Sequence, residues 1–410
     1  MLICVFTGFV SGLPLYILIQ LVPAWLRVEG VGLAEIGLFA LIGFPYTWKW
    51  VWAPLFDRYT LPFLGRRRGW LFVVQLALIG SIVALGQWRP VDQLLAVAVM
   101  ATIVAVFSAT QDIVIDAFRR ELLASDAELG LGNSIHTQAY RLSSFIPGAL
   151  GLVLADILPW EDVFTIMALF MSGGLVVTLL ISEALSDPKP PATLRQAVSE
   201  PFVEFFGRQG TSRALLVLLF MLLYKLGDSM ATALSTPFYI DLGFELTEIG
   251  IIAKNAAIWP SIAGGILGGL LIVKIGINRA LWLFGVVQLT TILGFAWLSQ
   301  VGDDRLTLAL VIGMEYLGVG LGTAAFVAFI AKQTNPAMAA TQFALFTALT
   351  AMPRTFASAA TGMLVESIGW TDFFFVCTAL ALPGMVLLHW VAPFSVTGSS
   401  ESASGSRGCE

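Results

Sequence analysis

Apolar runs long enough to cross a bilayer recur along the whole chain. In hydrocarbon a spanning segment must satisfy its own backbone N–H and C=O groups, so each such run is read as a helix. About twelve are legible: 2–24, 35–56, 69–88, 94–116, 132–156 and 163–182, then 214–240, 248–273, 280–300, 305–331, 339–366 and 372–392. Hydrophobic residues make up 58% of the chain and charged residues 12%, more apolar surface than a soluble domain can hide. The expectation is an all-α polytopic membrane protein with 12 transmembrane helices. The first run starts almost at Met1 with no small-residue cleavage site behind it, and is expected to be a retained helix rather than a signal peptide.

Lys and Arg set the expected orientation. Even-numbered connections carry thirteen of them: Arg58, Arg66, Arg67, Arg68, Arg119, Arg120, Lys189, Arg195, Arg208, Arg213, Lys274, Arg279 and Lys332. Odd-numbered connections carry only Arg27, Arg89 and Arg305. The positive-inside rule then places both termini in the cytoplasm. The net charge of −5 adds little, because charge in such proteins is segregated by side. Cys4, Cys377 and Cys409 are scattered, and the two histidines, His136 and His389, belong to no metal-binding pattern. No enzyme chemistry, metal or organic cofactor is expected, and no nucleic-acid partner; the partners expected are the lipid bilayer and a small molecule, bound by a monomer.

The two halves resemble each other at a nearly constant offset. Leu33-Ala-Glu-Ile-Gly-Leu-Phe39 recurs as Leu246-Thr-Glu-Ile-Gly-Ile-Ile252, 213 residues on. Arg141 and Arg354 share that offset, as do Arg66 and Arg279, while Trp160-Glu-Asp-Val-Phe164 and Trp370-Thr-Asp-Phe-Phe374 are 210 apart. This predicts two six-helix parallel repeats with a site near the midplane between them. The expected division is 1–182 and 213–392 for the bundles, 183–212 for a cytoplasmic linker and 393–410 for a disordered, Ser- and Gly-rich tail.

Charges well inside the spans are Lys49, Asp112, Asp116, Arg141, Lys225, Asp228, Lys254, Glu315 and Arg354. Each costs about 2.5–3.5 kcal/mol at the bilayer centre, so these side chains must face a wet cavity or one another. Lys225 and Asp228, three residues apart, share a helical face and can pair. Glu315 is the first candidate for a proton-coupling carboxylate and Asp228 the second. Arg141 and Arg354, placed symmetrically, suit an anionic substrate. Lys225 is either the partner of Asp228 or a substrate anchor, and Lys49 is a further candidate substrate contact. Asp112 and Asp116 are expected in a gate, bonded to Arg58 or Arg141. Tyr16, Tyr140, Tyr224, Trp259 and Tyr316 are divided between core packing and contact with a sugar or peptide ring, with Tyr140 and Tyr224 chosen for the site. Trp25, Trp88, Trp160 and Trp370 fall at predicted outer boundaries, as belt residues do. The glycines of Gly264–Gly269 and Gly318–Gly322 lie in spans and are read as helix-packing positions, not phosphate loops.

The loop Asp57-Arg-Tyr-Thr-Leu-Pro-Phe-Leu-Gly-Arg-Arg-Arg68 resembles the major facilitator superfamily signature, and Asp57, Arg58, Arg66, Arg67 and Arg68 are assigned to a cytoplasmic latch. The charge map also fits that fold, whose third, sixth, ninth and twelfth helices form the outer support. Further segments, FTGFVSGLPLYILIQLVPAWL, SATQDIVIDAFRREL, LLYKLGDSMATAL and the ATQFALFTALTAMPR run, resemble the AmpG-type muropeptide permeases of that superfamily. The resemblance implies proton-coupled import of anhydro-muropeptides, sugar–peptide fragments of peptidoglycan, across a bacterial inner membrane, with the proton as coupling ion. It also implies that Lys49, Asp112, Asp116, Lys225, Asp228 and Arg354 stand at family positions. Typical members carry two helices beyond the twelfth and an N-terminal cytoplasmic stretch. Their lack here points to a shorter branch or an incomplete chain. An exporter or importer of another bulky anion on the same fold is the alternative; Pro147-Gly148 and Gly151 faintly match an antiporter pattern.

Overall fold

A computed structural model describes residues 2–59, 61–122, 126–181, 203–333 and 339–394. Most of the central linker and the tail lie outside the described residues, as do the side chains of Asp57, Arg58 and Arg354. Regular structure in the described residues is helical, and every apolar run falls on helix. In chain order these are α1 (Leu2–Val28), α2 (Leu33–Trp48), α3 (Arg68–Leu85), α4 (Pro90–Leu122), α5 (126–155), α6 (Trp160–Leu180), α7 (Thr211–Asp241), α8 (Leu246–Ile275), α9 (Ile277–Val301) and α10 (Arg305–Gln333). A last helical run, Ala339–Val391, breaks at Gly369, whose φ of 79° leaves the helical region, giving α11 (339–368) and α12 (370–391). Nine of the described helices are long and apolar enough to cross a membrane.

Several helices are not regular. Pro14 in α1 is followed by a π-turn at Ile17–Leu21, and α5 contains another at Ile146–Leu150, with Pro147 in it. A third, Ile249–Ala253, opens α8. Proline and π-turns are the usual causes of bends in long helices, because both interrupt the i→i−4 ladder.

Leu95, Leu180 and Val273 are 79%, 78% and 87% exposed, as lipid-facing residues are. Inside, Leu13, Ile17 and Leu21 of α1 pack with Leu78, Ile82 and Leu85 of α3 and with Phe164 and Met167 of α6. The same core continues into the second half through Phe238, Phe295, Phe373 and Phe374. Trp25 belongs to it: at 1% exposure, with its ring edge-on to Phe164 at 4.9 Å, it is a core residue and not part of an interfacial belt. The α1 turn that carries it faces α6 rather than lipid. Glycines set the α8–α10 approach, where the Cβ positions of Gly264 and Gly320 are filled by the partner helix's Leu317 and Ser261 carbonyl oxygens.

The halves meet at the end opposite the basic loops, through contacts that come in related pairs. The Ala34 amide, at the start of α2, donates to Glu366 Oε1 at 2.9 Å; the Thr247 amide, at the start of α8, donates to Asp156 Oδ2 at 2.6 Å. Residues 34 and 247 are 213 apart, and 156 and 366 are 210 apart. A Cβ on Gly37 would lie 2.8 Å from the Gly362 nitrogen, and one on Gly250 would lie 2.8 Å from the Ala149 oxygen; these pairs too differ by 213. Between them Arg27 Nε reaches Asp241 Oδ1 at 2.5 Å, and Trp370 Nε1 donates to Asp241 Oδ2 at 3.0 Å. We call this set the clasp. Just beneath it, Lys254 of the second half donates to Gln20 of the first.

The Cβ position of Gly362 is filled by the Leu33 carbonyl, so a side chain there must drive α2 from α11. Gly362→Leu is expected to keep its helical circular dichroism while disulfide formation between Ala34→Cys and Glu366→Cys, in a chain freed of native cysteines, falls about tenfold, equivalent to about 1.4 kcal/mol. Undiminished crosslinking would show that this contact does not hold the clasp.

Candidate functional site

Small residues bring α1 against α5: the Cβ positions of Gly8 and Gly12 are filled by backbone of His136 and by Tyr140 and Ser143. That approach carries Ser11 toward α4, where its Oγ donates to Asp112 Oδ1 at 2.5 Å, while Gln111 Nε2 donates to the Val10 carbonyl at 3.0 Å. Lys49 Nζ stands 3.9 Å from Asp112 and 3.9 Å from Asp116, which also receives Arg119 Nη2 at 2.9 Å. Two acids thus face two bases. Lys49, expected at the substrate, and the two aspartates, expected to bond Arg58 or Arg141, form one cluster with each other instead. Arg58's side chain is outside the described residues, and among those described Arg141 has no acid within ion-pairing distance. Tyr140 stands next to Tyr16, ring centroids 5.6 Å apart, in electrostatic reach of Asp112 and Tyr46. Arg141 is half-buried and acts on Tyr16.

The second half holds a cluster of different balance. α7 leaves helical geometry at Lys225, with φ −104° and ψ 5°, and Asp228 falls in the first turn of the next helical piece. The two side chains meet as expected, Nζ 2.8 Å from Oδ2. Asp228 is 6% exposed and Glu315, midway along α10, is 0% exposed. Asp228, Thr291 and Lys225 are the polar neighbours of Glu315, yet neither Glu315 oxygen meets a donor in hydrogen-bonding geometry. Gly318 leaves room for Thr291 beside it, a Cβ there lying 3.1 Å from Thr291 Oγ1. Among the described residues two acids share one base here.

Tyr224, chosen for the site, lies instead in the core of the second half. Its hydroxyl donates to the Leu281 carbonyl at 2.9 Å and its ring stacks on Phe326 at 5.6 Å. Of the basic loop, Arg67 Nη1 donates to the Phe56 carbonyl at 3.1 Å, and Arg68 donates to the Thr178 and Leu179 carbonyls at 3.0 and 2.7 Å, closing the C-terminus of α6. Arg66 is half-buried in the same loop. Asp57 and Arg354, whose side chains lie outside the described residues, are not placed.

Reading charges alone passes over Ser11, Gln111, Tyr46 and Thr291. Uncharged polar groups cost little in a bilayer, so a single one in an apolar run carries no alarm. Among the described residues no group of three or more His, Cys, Asp and Glu side chains is arranged to hold a metal ion.

A model of the Major Facilitator Superfamily matches residues 4–353. A protein of Haemophilus influenzae is 48% identical over 98% of this chain and 97% of its own length. The anhydromuropeptide permease of Escherichia coli is 40% identical over 93% of this chain and 77% of its own. The crystal structure of the nucleoside transporter NupG superposes with a TM-score of 0.72 at 14% identity, covering 96% of this chain and 99% of that one, a likeness of fold. The chain is therefore a multi-pass membrane transporter and not an enzyme, and it belongs to the major facilitator superfamily, within the AmpG-type permease family.

Proposed function

We propose that this protein imports anhydro-muropeptides across a bacterial inner membrane by alternating access, driven by protons moving with the substrate. The substrate class is supported by 40% identity to the E. coli permease over most of the chain. The basic end then faces the cytoplasm and the clasp faces outward. The clasped state is the one that releases substrate inward.

The observation that carries proton coupling is Glu315, a fully buried carboxyl beside the Asp228 carboxyl, whose ion pair already engages Lys225. An uncompensated carboxylate there is far costlier than a carboxylic acid. A proton arriving from the outside neutralises Glu315 and leaves Lys225 with Asp228, and the second half can then rock without carrying a bare charge through the apolar core. Each proton contributes about 2.3 kcal/mol per 100 mV of membrane potential. Arg141 and Arg354 hold substrate carboxylates, and Lys49 with Asp112, Asp116 and Arg119 works as a balanced gate on the cytoplasmic side.

In proteoliposomes, labelled anhydro-muropeptide should accumulate when the bath on the clasp side is made acidic, and only equilibrate without a gradient. Glu315→Gln should abolish uphill accumulation while retaining exchange of labelled for unlabelled substrate; accumulation at the parent level would exclude Glu315 as the coupling group. Flux in the opposite sense, outward with protons inward, would favour an exporter.

Lys225→Met takes from Asp228 its paired cation and should lower unfolding stability by about 3–5 kcal/mol, the usual cost of breaking a buried pair. Lys225→Met with Asp228→Leu should recover most of the loss. Thermal denaturation in one detergent compares the three proteins, and equal destabilisation of the single and double variants would contradict the pairing.

A further inference from the structure

Lys254 is a buried cation with no part in either charged cluster. It is the first residue beyond the π-turn that opens α8, it is 8% exposed, and it crosses from the second half into the first. Its Nζ donates to Gln20 Oε1 at 2.7 Å and lies 5.6 Å from the centroid of the Tyr16 ring. Gly148 forms the notch that admits it: a Cβ there would lie 2.8 Å from Nζ and would collide with Gln20 Oε1. Gln20 and Gly148 themselves belong to the π-turns of α1 and α5. Three π-turns, one from each of α1, α5 and α8, are thus gathered around one ammonium group. Such turns are rare and concentrate at functional sites, because their looser hydrogen bonding has to be compensated by something the site provides.

What the ammonium meets here is an amide oxygen and an aromatic face. Among the described residues Lys254 has no carboxylate within ion-pairing distance. A lysine in the bilayer interior is costly, and a neutral amide offsets that cost less well than an anion does. Nor does the internal repeat demand it. The clasp contacts recur at an offset of 213 residues, whereas the counterparts of Lys254, Gln20 and Gly148 at that offset are Leu41, Ala233 and Thr361. The arrangement is particular to one side of the interface, as a contact with an asymmetric ligand is. It also lies seven residues below the Thr247–Asp156 contact, about 10 Å along the helix, where parting of the clasp uncovers it.

We propose that Lys254 is a carboxylate-binding residue on the substrate path, and that Gln20 Oε1 occupies the place of a substrate carboxylate oxygen while the clasp is closed. When the halves part at this end, Nζ leaves Gln20 and takes the anion. When they close again around a released substrate, Gln20 takes it back. This rests on the anionic, outward-collected substrate proposed above.

Uptake into proteoliposomes should be measured for labelled anhydro-muropeptide and for the same compound with its peptide carboxylates converted to amides. In the parent, amidation should raise KM about tenfold, equivalent to about 1.4 kcal/mol. Lys254→Met should raise KM for the acid by a similar factor, after which amidation should cost nothing further. Lys254→Arg should retain most of the discrimination, and Gln20→Glu, which installs a resident anion, should raise KM for the acid. A fall in Vmax that is equal for acid and amide, with KM unchanged, would overturn the proposal and leave Lys254 as a strut between the halves.

Access is read separately, so that the lysine and the muropeptide can fail independently. In a chain with Cys4, Cys377 and Cys409 changed to Ser, Lys254→Cys should be labelled from the clasp side by a membrane-impermeant thiol reagent about tenfold faster when Arg27→Ala loosens the clasp, equivalent to about 1.4 kcal/mol. Equal, slow labelling in both backgrounds overturns the proposal even if the parent transports muropeptide. If the parent takes up neither compound, the muropeptide reading falls, and labelling alone decides whether Lys254 stands on the path.

Discussion

An ionised side chain in hydrocarbon has no water to turn to, and that constraint orders this molecule from the outside inward. The charges within the spans lie on α4, α5, α7, α8 and α10 and just past the end of α2, and all but two of those described are held by an opposite charge or stand beside one. α3, α6 and α9 carry none in their spans. Their mid-span polar groups are neutral, and Thr178 of α6 donates to Gln75 of α3 at 2.9 Å. Helices without charges can face lipid, and helices with them must face one another. The layering of the bundle follows from that sorting more than from the amount of apolar area, which lipid chains bury as well as protein does.

The joint between the halves follows a different logic. The clasp contains one ion pair, two amide-to-carboxylate hydrogen bonds and two glycine-lined contacts. A hydrogen bond to a charged group is worth about 1.5–3 kcal/mol net, and at the water-exposed end of the bundle each can be exchanged for a bond to water. Contacts of this kind, related in pairs about a common axis, loosen together when one half rotates against the other. An interface of interlocked large side chains would resist such rotation, because packed cores deform in steps rather than continuously. Gly37, Gly250 and Gly362 keep the surfaces smooth where the helices approach most closely.

The sequence discloses the fold well because bilayer physics is written in long runs that no local propensity overrides. It discloses the charged clusters partly. The Lys225–Asp228 pair is legible from spacing alone, and Glu315 stands out as a candidate proton-coupling carboxylate by its place in an apolar run. Which base meets Asp112 was not readable, since Lys49 reaches it from a helix that bends at Trp48 and Lys49, a change of direction with no residue-level signal. Tyr224 stays in electrostatic reach of Asp228, but its hydroxyl is taken by the Leu281 carbonyl, a partner from another helix that spacing along α7 does not disclose. Trp25 misled because a tryptophan near a span end fits an interfacial belt and a core equally well, and only the packing of α6 decides between them. Gln20 carries no signal in the sequence, and Gly148 shows only as part of a faint proline–glycine pattern, because what joins them is a lysine more than a hundred residues away in the chain.

Among the described residues Lys49 and Arg119 stand against Asp112 and Asp116 in the first half, while in the second Glu315 and Asp228 stand beside Lys225. Among the described residues Arg141 and Lys254 have no acid within ion-pairing distance. In the proposed cycle this imbalance ties proton to substrate. A proton on Glu315 removes a negative charge from the cavity wall, and an anionic substrate brings negative charge to the unpaired cations, so each makes the other's binding more favourable. Two unit charges about 10 Å apart at an effective dielectric of about 20 interact by about 1.7 kcal/mol, somewhat more than a tenfold change in affinity. Linkage requires the effect to be reciprocal, with bound substrate favouring the protonated carboxyl by the same factor. Coupling of that sign needs no direct contact between proton and substrate, only that the surplus acid and the surplus cations line one low-dielectric space.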